Sequence, residues 1–208
     1  MYKNVKNLLF DFGGVIISLN KQNAINRFKE IGFKDIEQYL NEFRQEGIFL
    51  EYEEGKLTPQ EFYKEFRRLA GKEDISDKDI DSAWLAFLIG IPEYKFQLLK
   101  DLRKKYNIYL LSNTNPSIMN WAFSNDFSPE GLPISAYFDK CYLSFELGVA
   151  KPDKKIFELI LADSGMNPAE TLFLDDGKTN VEIGKEFSFQ VYQANQDEDL
   201  REFFKTVE

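Results

Sequence analysis

The sequence predicts an α/β fold, a parallel β-sheet wrapped by helices and interrupted early by an all-helical insertion, and three observations predict it. The apolar run Leu8-Leu9-Phe10 stops on Asp11 and passes at once into Phe12-Gly13-Gly14-Val15, as a buried strand does when it delivers a carboxylate to its exposed end. Residues 21–87 carry amphipathic helical periodicity and no convincing strand. From Glu93 onward helix and strand patterns alternate, which implies a parallel sheet whose ligands gather at the carboxyl ends of its strands.

Taken in order, residues 5–10 form the first strand. The insertion then divides into four short helices: one on Ala24, Phe28 and Ile31, one on Ile36, Tyr39, Leu40 and Phe43, one on Phe62, Phe66 and Leu69, and one on Ile80, Trp84 and Phe87. Thr58-Pro59-Gln60-Glu61 is an N-cap, a proline at the first helical position and a glutamate placed to complete a capping box. Ser76-Asp77-Lys78-Asp79 starts the next helix. Ile89-Gly90-Ile91-Pro92 breaks the pattern and returns the chain to the sheet. A helix over 93–106, a strand over 107–111, and Asn115-Pro116 as the cap and first residue of another helix follow. The two prolines and glycine of 124–136 make a loop. Strands at 140–143, 171–174 and 189–192 then alternate with helices over 153–164, through Val181 and Ile183, and around Leu200, Phe203 and Phe204. The insertion's aromatics (Phe43, Phe49, Tyr52, Phe62, Tyr63, Phe66, Trp84 and Phe87) are mostly core by their spacing, and Glu51, Glu53 and Glu54 read as a solvated run, with the alternative that one of them faces the pocket.

At 208 residues the chain is long enough for one core carrying a smaller inserted unit. The single Cys141, flanked by Tyr142 and Leu143, excludes an internal disulfide and reads as a buried strand thiol, so a reducing cytoplasm is the expected setting. Asp11 cuts the N-terminal apolar stretch too early for a secretory segment or a membrane span of roughly 20 residues. A net charge of −9, from 26 basic and 35 acidic residues, argues against nucleic-acid and anionic-membrane partners and favours a small substrate. The chain contains no histidine, which excludes Ser-His-Asp chemistry, histidine zinc sites and phosphohistidine mechanisms.

Three predicted strands end in polar residues: Asp11, Ser112-Asn113 and Asp175-Asp176. A parallel sheet brings such ends to one edge, and Lys151, just ahead of Pro152 and a helix, can join them. Carboxylates sharing a cleft repel unless a cation lies between them, and hard oxygen ligands point to Mg²⁺. Magnesium recruits phosphate, and the Ser112 hydroxyl, backbone N–H groups and the Lys151 ammonium supply donors to phosphoryl oxygens. Free aspartate has a pKa of about 3.9, so Asp11 is expected to be an anionic nucleophile at neutral pH.

These four clusters, in this order, resemble the motifs of the haloacid dehalogenase (HAD) superfamily: Asp11-Phe12-Gly13-Gly14-Val15, Leu111-Ser112-Asn113, Lys151-Pro152, and Phe173-Leu174-Asp175-Asp176 with Asn180. The resemblance covers nearly the whole chain. It implies a Rossmann-like parallel sheet core, residues 1–18 and 89–208, with an inserted all-helical C1 cap, residues 19–88. It implies Asp11 as nucleophile and magnesium ligand, the Gly13 carbonyl as a second ligand, Asp176 as the principal fourth-motif ligand and Asp175 assisting. Ser112, Asn113 and Lys151 would hold the phosphoryl group, with Asn180 orienting Lys151. Leu-Ser-Asn-Thr-Asn at 111–115 and Leu-Gly-Val-Ala-Lys-Pro at 147–152 are most similar to the bacterial sugar-phosphatase branch that includes an α-glucose-1-phosphatase.

The implied activity is magnesium-dependent hydrolysis of a small phosphomonoester, a sugar phosphate by the branch resemblance, through an aspartyl phosphate. One position departs from the pattern. Most phosphatases of the family carry an acid/base aspartate where this chain has Gly13, and general acid–base help is commonly worth about 10²–10⁴ in rate. Two other readings therefore stay open at this point: a metal-independent 2-haloacid dehalogenase, and a catalytically silent binding or regulatory module.

Overall fold

The computed structural model describes residues 2–40 and 45–207. The chain runs β1 (Asn7–Phe10), β2 (Ser18–Leu19), α1 (Lys21–Ile31), α2 (Gly47–Glu53), α3 (Pro59–Ala70), α4 (Asp77–Leu85) and β3 (Leu88–Gly90). It continues through α5 (Glu93–Leu102), β4 (Asn107–Ser112), α6 (Pro116–Ala122), β5 (Lys140–Leu143), α7 (Ser144–Leu147) and α8 (Lys154–Ser164). It closes with β6 (Thr171–Asp175), α9 (Lys178–Glu186), β7 (Gln190–Gln193) and α10 (Leu200–Phe204).

Five strands form one parallel sheet in the order β5-β4-β1-β6-β7. The chain builds outward from β1 to one side through β4 and β5, then returns to build the other side, so the order reverses at β1. Phe10 lies level with Leu110 on one side and Leu174 on the other, so Asp11, Ser112 and Asp175 follow at the same edge. The two-residue period of the strands sorts the core. Leu8, Phe10, Ile108, Leu110, Leu172 and Leu174 face a layer containing α5, α6 and α10. Leu9, Leu111 and Phe173 face Ile156, Phe157 and Ile160 of α8.

The insertion has an apolar cluster of its own, built from Ala24 to Phe87, in which Phe28, Phe49, Phe62, Phe66 and Trp84 meet mainly edge to face or tilted. Its helix starts follow the local chemistry. Thr58 accepts from Glu61 N while the Glu61 carboxylate accepts from Thr58 N, and Ser76 accepts from Asp79 N. A short antiparallel ribbon of β2 and β3 pins together the two chain crossings at its neck; strands this brief leave no periodicity to read.

Two expectations about the insertion are corrected. The helix expected on Ile36, Tyr39 and Leu40 is only a 3₁₀ turn, Ile36–Gln38, and Phe43 lies outside the described residues. Ile36 and Leu40 are buried all the same, so burial of a turn satisfies the apolar spacing that mimicked a helix. The second correction concerns Glu51, Glu53 and Glu54. They are not a solvated run, for Glu53 and Glu54 are buried and only Glu51 is exposed. Helix α2 places Phe49, Tyr52 and Glu53 on one face at helical spacing, and the aromatic pair carries Glu53 inward.

Candidate active site

The loop after β1 is fixed before any ligand is considered. Ile16 N and Ile17 N both donate to the Phe12 carbonyl at 2.9 Å, and Gly14 N donates to the Ile17 carbonyl at 2.9 Å. Gly14 takes a positive φ of 71°, and a β-carbon there would stand 2.1 Å from Asp176 Oδ2; only glycine lets the backbone pass this close to the carboxylate. At Gly13 a β-carbon would meet Leu19 Cδ1 at 2.6 Å. A side chain from the insertion's neck therefore covers Gly13, the position at which the sequence departs from the motif it resembles. Lys95 of α5, which sequence reasoning missed, is buried and donates to the Val15 carbonyl at 2.6 Å, bracing the same loop from below.

Asp11, Lys151 and Asp175 are the centre of the site. The Lys151 ammonium, 2% exposed, lies 2.8 Å from Asp11 Oδ1 and 2.7 Å from Asp175 Oδ2, and it also donates to the Leu111 carbonyl at 3.0 Å. Asp11 Oδ1 additionally accepts from Phe12 N at 2.7 Å, which commits that oxygen and leaves Oδ2 toward the cleft chemistry. Asn113 grips Lys151 by its backbone, accepting from Lys151 N at 2.7 Å and donating to the Lys151 carbonyl at 2.9 Å. Asn180 donates to Asp175 Oδ1 at 2.9 Å, so it reaches Lys151 only through that carboxylate. Ser112 is buried at the end of β4 with its hydroxyl donating to the Asn113 carbonyl at 3.3 Å. Asn113, not Ser112, faces the cavity.

Carboxylate oxygens of Asp11, Asp175 and Asp176 lie within 4.8 Å of one another. Fully ionised, the three outweigh the one ammonium by two charges. Asp11 responds accordingly: burial raises its pKa to about 7, with Asp175 and Asp176 adding to the rise and Lys151 opposing it. This corrects the expectation that Asp11 is anionic simply because free aspartate is, since removal from water and two like charges outweigh the lysine. Asp176 is raised too, by burial and then by Asp175. Lys151 moves up despite the opposing effect of its burial, because Asp11 and Asp175 favour its charged form. An all-oxygen set of three clustered carboxylates with one ammonium beside it fits a hard divalent cation, whose charge would favour their ionised forms.

A cavity of about 160 Å³ opens on this cluster. Asp11, Gly13, Asn113, Lys151, Asp176 and Asn180 form its floor, and Gln45, Glu53, Trp84 and Phe87 of the insertion form the opposite wall. Sequence reasoning counted Trp84 and Phe87 among core aromatics, held that one of Glu51, Glu53 and Glu54 facing the pocket was the lesser alternative, and missed Gln45. Burial, then the neighbouring charge of Glu54, pushes the Glu53 carboxyl up to about 8, so it is mostly protonated at neutral pH. Cys141 lies level with Leu110 and Phe10 but on β5, two strands away from β1, and burial pushes its thiol up to about 12, which disfavours the reactive thiolate.

Among known proteins, a family profile described as haloacid dehalogenase-like hydrolase matches residues 5–187. The chain belongs to the haloacid dehalogenase-like hydrolases. It is 44% identical over 198 residues to a D-ribitol-5-phosphate phosphatase of Bacteroides thetaiotaomicron, covering 95% of this chain and 96% of that one. Among solved structures, a HAD-like family hydrolase from Porphyromonas gingivalis superposes with a TM-score of 0.92 at 40% identity, covering 97% of this chain and 96% of that one. A HAD family enzyme from Bacteroides thetaiotaomicron, an Asp-to-Ala mutant in complex with magnesium and inorganic phosphate, superposes with a TM-score of 0.91 at 42% identity, covering 96% and 98%. The parallel sheet with its helical insertion is thus the HAD fold.

Proposed function

We propose that this chain is a magnesium-dependent phosphomonoesterase acting on a small sugar or sugar-alcohol phosphate in the cytoplasm, with Asp11 as nucleophile. The observation that carries this reading is the buried array in which Lys151 bridges Asp11 and Asp175 beside Asp176. The named phosphatase relative and the magnesium and phosphate of the related structure support it. Residues 1–18 and 89–208 act as the catalytic core and residues 19–88 as its cap. Among the described residues no helix is long and apolar enough to cross a membrane.

Asp11, Asp176, Asp175 and the Gly13 carbonyl would hold magnesium, which neutralises phosphoryl oxygens and favours the ionised form of Asp11. Lys151, positioned through Asn113, holds the phosphoryl group with the Ser112 and Asn113 edge. Asp11 Oδ2 attacks phosphorus, a new O–P bond forms, and the bond to the leaving oxygen breaks. The departing alkoxide takes a proton from water or from the cap. Water then hydrolyses the aspartyl phosphate, releasing phosphate and restoring Asp11.

A metal-independent dehalogenase has no use for three clustered carboxylates with one counter-charge. A silent binding module has no use for an Asp11 oxygen left uncommitted beside a buried lysine. The test is phosphate release from a panel of phosphomonoesters, including a pentitol phosphate and glucose 1-phosphate, with magnesium and with EDTA, for the native protein and Asp11→Asn. Release that requires both magnesium and Asp11 is expected. Release that persists in Asp11→Asn would refute the assignment.

A further inference from the structure

The loop that follows β1 is tied down from outside the cavity at two points that the proposed chemistry does not use. Lys95 lies on the buried face of α5 with Phe96, Leu99 and Leu102 and is 2% exposed. Among the described residues its ammonium has one hydrogen-bond acceptor, the Val15 carbonyl at 2.6 Å. Burial lowers its pKa, and the charges of Asp197 and Asp199, in the segment after β7, oppose that fall. Asp197 is exposed, takes a positive φ of 63°, and accepts from the Ser18 hydroxyl. Beside it, Gln196 Nε2 donates to the Leu19 carbonyl at 2.9 Å. The segment is itself hung from the end of β6, because Ala194 N donates to the Asp175 carbonyl at 3.1 Å and Gln193 Nε2 to the Asp176 carbonyl at 3.2 Å. Neither Lys95 nor Asp197 lines the cavity. A methionine would fill the core position of Lys95 without the cost of taking a charge out of water, so a lysine there needs an explanation beyond packing.

We infer that Lys95 and Asp197 clamp the loop from Phe12 to Leu19 and are positioning residues for the reaction, fixing where the Gly13 carbonyl stands and seating Leu19 over Gly13. The role of the Gly13 carbonyl rests on the magnesium phosphomonoesterase reading; the clamp itself stands on the contacts. A charge-assisted bond to a carbonyl is stronger than a neutral one, and Val15 is two residues past Gly13. The turn passes the restraint on. Ile16 N and Ile17 N both donate to the Phe12 carbonyl and Gly14 N donates to the Ile17 carbonyl, so Val15 does not move alone. Ser18 fixes the same loop where it enters β2. Because the segment carrying Asp197 hangs from the carbonyls of Asp175 and Asp176, the clamp also sets the spacing between the Gly13 loop and the carboxylates that would share its cation. Ligands on separate loops keep their affinity only while that spacing is held.

The experiment compares the native protein, Lys95→Met, Asp197→Asn and the double variant by three measurements: magnesium binding to the metal-free protein by calorimetric titration, hydrogen exchange of the peptide spanning 12–19, and kcat and KM for a phosphomonoester at saturating magnesium. Lys95→Met is expected to weaken magnesium binding about tenfold, to speed exchange over that peptide about fivefold, and to lower kcat about tenfold with KM changed less than about twofold. Its urea midpoint is expected to hold or rise, because the buried charge is gone. Asp197→Asn is expected to weaken magnesium binding about threefold, the scale of an exposed charge. The double variant is expected to lose no more than Lys95→Met alone, since both residues hold one loop. Loss of stability in step with activity, at native magnesium affinity, would make Lys95 merely structural and overturn the clamp. So would multiplied losses in the double variant, or native exchange in Lys95→Met. Should Lys95→Met fail to fold, Asp197→Asn decides: native magnesium affinity with native exchange overturns the inference, and weaker binding with faster exchange supports it. Faster exchange and weaker binding in the variants of a protein that hydrolyses no phosphomonoester would keep the clamp and refute the hydrolase, whereas turnover with native exchange in every variant would do the reverse.

Discussion

The two walls of the cavity are built on opposite principles. On the cavity floor the reacting groups are held by the protein: Lys151 by two carboxylates and a carbonyl, its backbone by Asn113, and Asp175 by Asn180 and by Gly177 N at 2.8 Å. On the insertion side Trp84 Nε1 and Gln45 Oε1 have no hydrogen-bond partner among the described residues, and burial, then the charge of Glu54, raises the Glu53 carboxyl to about 8. A satisfied network holds reacting groups in one geometry, as chemistry requires. Unsatisfied groups on a rigid apolar frame favour whichever ligand supplies their bonds, as selection requires. In the proposed function the floor carries the hydrolysis and the wall meets the substrate's organic half.

That division can be broken most sharply at the nucleophile. Asp11→Asn is expected to lower phosphate release on the order of 10⁴-fold or more on every substrate alike. A loss confined to hydroxyl-rich substrates would erase the distinction between floor and wall. Next in size is Lys151→Met. It leaves Asp11 and Asp175 buried without their counter-charge, so urea unfolding in EDTA is expected to report about 3–5 kcal/mol of lost stability. Magnesium is expected to restore part of that loss, whereas an equal loss with and without magnesium would sever the lysine from the metal site.

On the wall the sign reverses, because Glu53 destabilises the fold. Its folded-state pKa of about 8 lies above the ordinary glutamate value of 4.5, so folding favours the protonated form. The cost of burying the charge is absent below the unfolded pKa, grows as pH rises, and is complete above the folded one. Glu53→Gln is expected to remove that pH dependence and to stabilise the fold at pH 7 by on the order of 2 kcal/mol, measured by urea unfolding between pH 4 and pH 9. A variant with an unchanged pH profile would show that Glu53 is solvated. The smallest effect separates the two loop glycines. Gly14→Ala drives a β-carbon toward the Asp176 carboxylate at a positive φ and is expected to cost about 2 kcal/mol. Gly13→Ala meets only the flexible end of Leu19 and is expected to cost less, by the same unfolding measurement.

The same contrast explains what could be read from the sequence. The floor was legible because most of its groups are local: an apolar strand of β1, β4 or β6 ends and the next one or two residues are polar, while Lys151 stands just ahead of Pro152 and a helix. The sheet order then converts distant positions into neighbours. What the floor did not reveal was ionisation, since the pKa of Asp11 depends on Asp175 and Asp176, more than 160 residues away in the chain. Nor did motif order show that Asn113 holds Lys151 directly while Asn180 acts through Asp175. The wall was illegible for a different reason. Gln45, Glu53 and Trp84 come from separate segments, and Glu53 stands beside Glu51 and Glu54 in what composition alone describes as a charged surface. Its burial follows from the phase of a helix that starts at Gly47, where apolar spacing had suggested an earlier helix at Ile36. The aromatic core of the insertion, by contrast, was visible in its spacing and lies where that spacing places it.

The most direct test of the central claim is rapid acid quench of the native protein with magnesium and a turning-over phosphomonoester, followed by peptide mass analysis. Phosphate carried transiently on the peptide containing Asp11, absent in Asp11→Asn and appearing no slower than turnover, is the predicted result. Steady release of phosphate with no covalent adduct, or an adduct on another residue, would contradict the account.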